Sequence, residues 1–400
     1  MKKFLYYSLV PAALIMVMAS CVNDDTDFDD ILPQYQVEPQ AIELDFSDLT
    51  EASDMPVLDE NDEAFNDYVE NSSWNKVINI HFDGNTATVT GTVAGVAVST
   101  AGAHVTITNL MGPVKYVVTG VTTNGSLKFY GDKRFQVLLD GAEILNPNGA
   151  AINNQGNKTL YVVLADGSTN RLQDGTTYTM VDDEDQKAAL FSEGQIIFSG
   201  SGSLNVIANG RNAIASDDYI RIRPGVKIYT KALARNGIKV NDGLWIDGGV
   251  LNIETHAGGA KGINCEANVN IAGGRTTIIG SGGVTIEEGD ITSCAGIKCD
   301  STLNMTGGTL NIKSTGEGGK GIRTNGNLIF AGGELNIVTT GEKGLSSPKG
   351  VKCDTDMSIS GGAFYVYSVN AAALDVEGTF TLADGYVTQQ VGTHYYIVDY

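Results

Sequence analysis

The sequence predicts an all-β protein: a parallel β-helix of roughly a dozen coils, with three short strands per coil. Three observations predict it. Five segments align without a gap: GIKVNDGLWIDGG (237–249), GINCEANVNIAGG (262–274), GIKCDSTLNMTGG (296–308), GIRTNGNLIFAGG (321–333) and GVKCDTDMSISGG (350–362). Within each copy apolar residues alternate, so that Ile238, Val240, Leu244 and Ile246 match Ile297, Cys299, Leu303 and Met305. A further alternating piece follows each glycine pair, and period-two runs broken by glycine are strands. Finally, the copies recur about every 25 residues, whereas a four-stranded propeller blade needs about 40.

The elements follow in chain order. Lys2 and Lys3 precede an apolar stretch (4–17) that ends in Met18-Ala19-Ser20-Cys21. A basic start and a short apolar run make a secretory signal, too short to span a bilayer. The small residues before Cys21 resemble the lipobox of bacterial lipoproteins, which implies lipidation of Cys21 and removal of residues 1–20. Val22-Asn23-Asp24-Asp25 resembles the acidic signal that exports lipoproteins to the outer face of some outer membranes. The expected location is therefore the outer membrane and cell surface, with membrane contact through the lipid anchor only.

Residues 21–63 are expected to be a disordered acidic tether. The formal net charge is −21, yet residues 22–75 hold 17 acids and no Lys or Arg, and residues 76–400 hold 30 acids against 24 bases. Like charges and little apolar surface keep such a segment extended. Overall acidity also excludes a basic nucleic-acid-binding surface. Phe65, Tyr68 and Val69 fall at helical spacing, so residues 64–75 are expected to form a helix over the open end of the domain. Two degenerate copies (189–201 and 213–225) and the strand-like VTITN (105–109), YVVTG (116–120), LKFYG (127–131) and VLLDG (137–141) extend one domain over residues 76–400. It is expected to be a monomer.

A solenoid turns sequence offsets into columns. Offset four of each copy holds Glu193, Asp217, Asn241, Glu266, Asp300, Asn325 and Asp354. Stacked acids about 4.8 Å apart repel, and hard oxygen ligands suit Ca²⁺. The candidate ligands are Asp217, Asp218, Asn241, Asp242, Glu266, Asp300 and Asp354; solvated turns capped by Asp and Asn are the plainer alternative. Offset two holds Lys239, Asn264, Lys298, Arg323 and Lys352. These cations form either a salt-bridge ladder to the acids, worth little at a surface, or a track for a polyanion such as a uronic-acid polysaccharide. Trp245 lies outward between Arg221 and Asn270 and is a candidate platform for a sugar ring. Cys265, Cys299 and Cys353 share an inward slot for a small core residue; the first two could bridge, Cys294 lies in a loop, and no zinc spacing occurs. The four His match no hydrolase or metal pattern.

The chain resembles carbohydrate-binding domain-containing lipoproteins related to a clostridial cellulose- and acid-sugar-binding β-helix protein. The residues that carry the resemblance are YVVTG (116–120), DKRFQVLLDGAEI (132–144), AAINNQGNKTLYVVLADGSTNRLQD (150–174) and SGSGSLNVIANGRNAIASDD (199–218), then the repeats. It implies a right-handed parallel β-helix, bound Ca²⁺ first at Asp217 and Asp218, and binding of cellulose or acidic sugars rather than demonstrated cleavage. Two further functions compete with this non-catalytic binding. A calcium-dependent polysaccharide lyase of pectate-lyase type needs a metal on the uronate and a Lys or Arg base, parts that Lys298 or Lys352 beside Asp300 or Asp354 would offer. Recurrence of those parts on every coil speaks against one catalytic centre. The other is an adhesin that binds protein.

Overall fold

A computed structural model describes residues 41–51, 54, 56–57, 59–384, 386–391 and 394–399, the last two stretches by their backbone alone. The signal sequence and Cys21 lie outside the described residues.

Alternating strands with one apolar side stack coil on coil. One sheet holds twelve strands, of which the first pairs antiparallel and the other eleven run parallel, giving eleven turns. Each repeat contributes a strand to this first face (such as Ile238–Val240), a second face (Gly243–Ile246) and a third (Val250–Thr255). Ile152, Leu190, Ile214, Ile238, Ile263, Ile297, Ile322 and Val351 stack in register as one inward ladder. All are fully buried. Burying one such side chain contributes about 1.5–3 kcal/mol, and the ladder repeats that gain on every coil. The small-residue slot beside it holds Ser216, Val240, Cys265, Cys299, Thr324 and Cys353. All four described cysteines are free thiols, Cys294 included, and Cys294 is buried rather than exposed in its loop.

A parallel β-helix exposes unpaired strand edges at its ends, a pairing hazard. The expected helix does not cover the first end. Thr86–Thr90 and Val96–Ala101 do so, pairing antiparallel with the opening strands and packing Val89 and Val98 onto the core. At the other end Tyr386–Val391 and His394–Asp399 add antiparallel strands.

Residues 63–71 instead form two short 3-10 turns, Glu63–Asp67 and Val69–Asn71, and lie against the second face. Val69 packs on Tyr161 and Ile197, outward residues too apolar to be left in water, and Trp74 meets the Tyr161 ring edge-on. The expected free tether is likewise replaced by a strap where it is described. Ile42 is buried, and the Asp45 N–H donates to Asn252 Oδ1 (3.2 Å) while Asn252 donates to the Asp45 carbonyl (2.8 Å). The acids that repel one another find cations on the rod.

Candidate carbohydrate-binding faces

On the first face, strand register brings Lys239, Asn264, Lys298, Arg323 and Lys352 into one outward column. The acidic column runs beside it, because the amide of each member bonds to the coil below: Asn241 to Ser216, Glu266 to Val240, Asp300 to Cys265, Asp354 to Thr324. The two columns compensate each other. Lys298 pairs with Asp300 (2.6 Å), Lys352 with Asp354 (3.0 Å) and Glu377 (2.9 Å), Lys239 with Glu266, and Arg323 reaches Asp354 at 4.0 Å. Hydrogen bonds to Glu377 and Asp354 raise the Lys352 ammonium above its ordinary pKa. The ladder arrangement is thus the one present, and among the described residues this face carries no bare positive stripe.

The proposed calcium ligands separate into groups. Asp217 does not converge with Asp218, Asn241 and Asp242 as one set. Its carboxylate instead meets Asp185 and Glu193, with ligand oxygens all within 4.8 Å of one another, while Asn241 donates to it at 3.3 Å. Lys187 bridges Asp217 (2.5 Å) and Asp185 (2.7 Å). Burial first, then the Asp217 and Asp185 charges, push Glu193 up to about 7. Asp218 turns the other way, accepting from Gln195 Nε2 and the Tyr219 amide, and burial and the Asp242 charge raise its pKa. Glu266, Asp300 and Asp354 are held by the lysines named above. Asp185 escaped the repeat alignment because it lies in the acidic VDDED run (181–185) between coils; that run of acids was the available signal.

Trp245 does stand between Arg221 and Asn270, but half-buried, its ring edge-on to Tyr219 at 5.4 Å. Arg221 is occupied by Asp67 (2.8 Å) and Asp247 (2.6 Å). A separate cavity of about 330 Å³ opens on the third face, where Tyr229, Lys227, Asn205 and Asn252 meet Phe46 of the strap.

The described residues thus form a β-solenoid with polar columns along its first face. The profile of a family described as carbohydrate-binding domain-containing protein matches residues 101–394, and the chain belongs to that family. A carbohydrate-binding domain-containing protein of Acetivibrio thermocellus is 32% identical over 117 residues, 28% of this chain. The match spans 41% of that relative's length. A polysaccharide lyase-like protein from C. thermocellum, solved as a gadolinium derivative, superposes with a TM-score of 0.52 at 27% identity, over 63% of this chain and 96% of the other.

Proposed function

We propose that this is a surface-anchored, non-catalytic polysaccharide-binding protein for acidic (uronic-acid) or cellulosic glycans, assisted by structural Ca²⁺. The observation that carries the reading is the in-register column from Lys239 to Lys352 on a rod of the carbohydrate-binding family. Its three consecutive cations, Lys298, Arg323 and Lys352, lie one per coil, about 4.8 Å apart, near the length of one sugar unit. Because neighbouring acids compensate them, Ca²⁺ on the acids would free the cations for a polyanion.

The lyase alternative draws less support. Lys298 and Lys352 are each paired with a carboxylate, at 2.6 and 3.0 Å, and the same parts recur along the column instead of converging once. Affinity electrophoresis in gels containing polygalacturonate, alginate or a soluble cellulose derivative, with and without Ca²⁺, tests the reading. Retardation of the protein is expected, and K298Q/R323Q/K352Q should lose most of it on the acidic polymers. Free migration in every gel refutes binding; unsaturated products absorbing near 235 nm, an ordinary mark of β-elimination, would refute the non-catalytic part.

A further inference from the structure

The corner between the second and third faces is made by the Gly–Gly pairs and, one coil below them, by Pro224-Gly225, and the described part of the acidic strap lies across it. There the backbone N–H groups of Gly225 and Gly249, on adjacent coils, donate to the two oxygens of one carboxylate, that of Glu51, at 2.8 and 2.7 Å. The strap carries an acid at every third position, Asp45, Asp48, Glu51 and Asp54. Three extended residues span about 10 Å, close to two coil steps. Asp45 pairs with Arg275 (3.2 Å), Asp48 with Lys227 two coils below, and Asp54 with Arg223 (2.5 Å). All three cations lie within two residues of a corner glycine. Apolar anchorage is slight: Ile42 is buried, but Phe46 is 59% exposed and only edges against Tyr229. Charge therefore holds the strap down.

Beyond the strap the same corner continues through Gly274, Gly308, Gly333 and Gly362, all with positive φ between 75° and 88°. None of these four N–H groups has a partner among the described residues. Beside them on the third face, Thr277, Asn311 and Asn336 stand in register; Thr277 and Asn336 are buried, and half-buried Asn311 accepts from Asn336 at 2.9 Å.

We infer that the Gly–Gly corner is a carboxylate-binding edge, that Asp45, Asp48, Glu51 and Asp54 occupy its lower part as an internal polyanion, and that an acidic polysaccharide takes the same edge. Its carboxylates sit between the corner N–H groups of successive coils, as that of Glu51 does, starting at Gly274 beside Arg275 and displacing the strap as the polymer extends downward. Glu334, next to Gly333, disfavours a carboxylate there and biases the polymer toward the strap end. The inference rests on the polysaccharide-binding reading and adds to it a second face and an internal competitor.

The test uses the full chain and an oligogalacturonate of defined length. Calorimetry compares the native protein with D45N/D48N/E51Q/D54N, whose neutral strap no longer competes; affinity is expected to rise about tenfold, the scale of a few surface ion pairs removed from the unbound state. Hydrogen exchange on the native protein follows the Asp45 amide, which should exchange faster when the oligomer binds. Should the native protein bind with strap exchange unchanged and the variant bind no better, the edge is not the site, and the polysaccharide-binding reading survives without it. Retention on a neutral glucan with no binding of acidic oligomers overturns this inference and the acidic specificity together. If the variant does not fold, exchange in the native protein alone decides.

Discussion

Lys320 is a cation buried without a carboxylate. It is 5% exposed, and its ammonium donates to Ser293 Oγ (2.8 Å), Ser346 Oγ (3.0 Å) and the Gly318 carbonyl (3.2 Å). Ser293 follows the hairpin inserted at Thr285–Glu287 and Asp290–Thr292, and Ser346 belongs to the second long loop, so one side chain ties both insertions to the rod. Burial first, then the Arg323 and Lys352 charges, lowers its pKa to about 8. The unfolded chain keeps the proton up to about 10.4. Between those values the unfolded state binds more protons, so the contribution of Lys320 to stability rises with pH. Over some 2.4 units at 1.36 kcal/mol each, the gain approaches about 3 kcal/mol. Replacing Lys320 by Met removes the titration and replacing it by Arg fixes the charge, so neither variant should show this gain. Urea denaturation of all three proteins at pH 7, 8.5 and 10.5, followed by tryptophan fluorescence, measures it. Buried thiols such as Cys265, pushed up to about 12, oppose the slope, but they are common to all three proteins and cancel in the differences. Parallel profiles for native protein and K320M would refute the reasoning.

Three other outcomes follow from the same geometry. Arg223 is 2% exposed, holds Asp54 and Glu70, and lies 4.3 Å over the Tyr68 ring; R223M should cost about 2–3 kcal/mol locally, seen as faster proteolysis between residues 41 and 75 with the rod intact. Glu193 holds a proton up to about pH 7, so Ca²⁺ at Asp185, Glu193 and Asp217 must displace it. Calorimetric Ca²⁺ affinity should therefore rise from pH 6 to 8, and E193Q should flatten that rise; no Ca²⁺ binding at pH 8 would remove this cluster from consideration. Cys265 and Cys299 face each other in register as buried thiols and should resist iodoacetamide at pH 8 until the protein unfolds, whereas rapid labelling of the native protein would contradict their packing.

The repeat was legible because a solenoid writes its packing into the sequence once per coil. Ile238, Ile263, Ile297 and Ile322 are each one offset after a glycine, and the offset is the contact. Even the pairing of Lys298 with Asp300 follows from offsets two and four. What could not be read is what breaks the repeat. Asp185 reaches Glu193 and Asp217 from a loop whose path no alignment fixes. The helical spacing at Phe65, Tyr68 and Val69 was an accident of a segment whose partners, Tyr161 and Ile197, are about a hundred residues away. Composition marked residues 41–54 as self-repelling, and it could not show that Arg223, Lys227 and Arg275 line up on one corner to receive them.

That division bears on function. A translationally repeated surface offers many near-equivalent subsites, each weak, and their linkage along a polymer multiplies affinity without any new contact. Catalysis needs the reverse, one place where unlike groups converge around a single bond. Columns such as Lys298, Arg323 and Lys352 are of the first kind, and this supports binding over cleavage. A uniform rod, however, cannot fix where a polymer starts or how far it reaches. Only irregular parts can do that, and the described strap is the irregular part that presents carboxylates to the rod in the same manner as an acidic sugar. A polymer that starts at Gly274 must compete with Asp45 for Arg275 before it can go further down. Binding there should therefore weaken with salt less steeply than at an open basic surface, because each ion pair formed with the glycan replaces one already made within the chain.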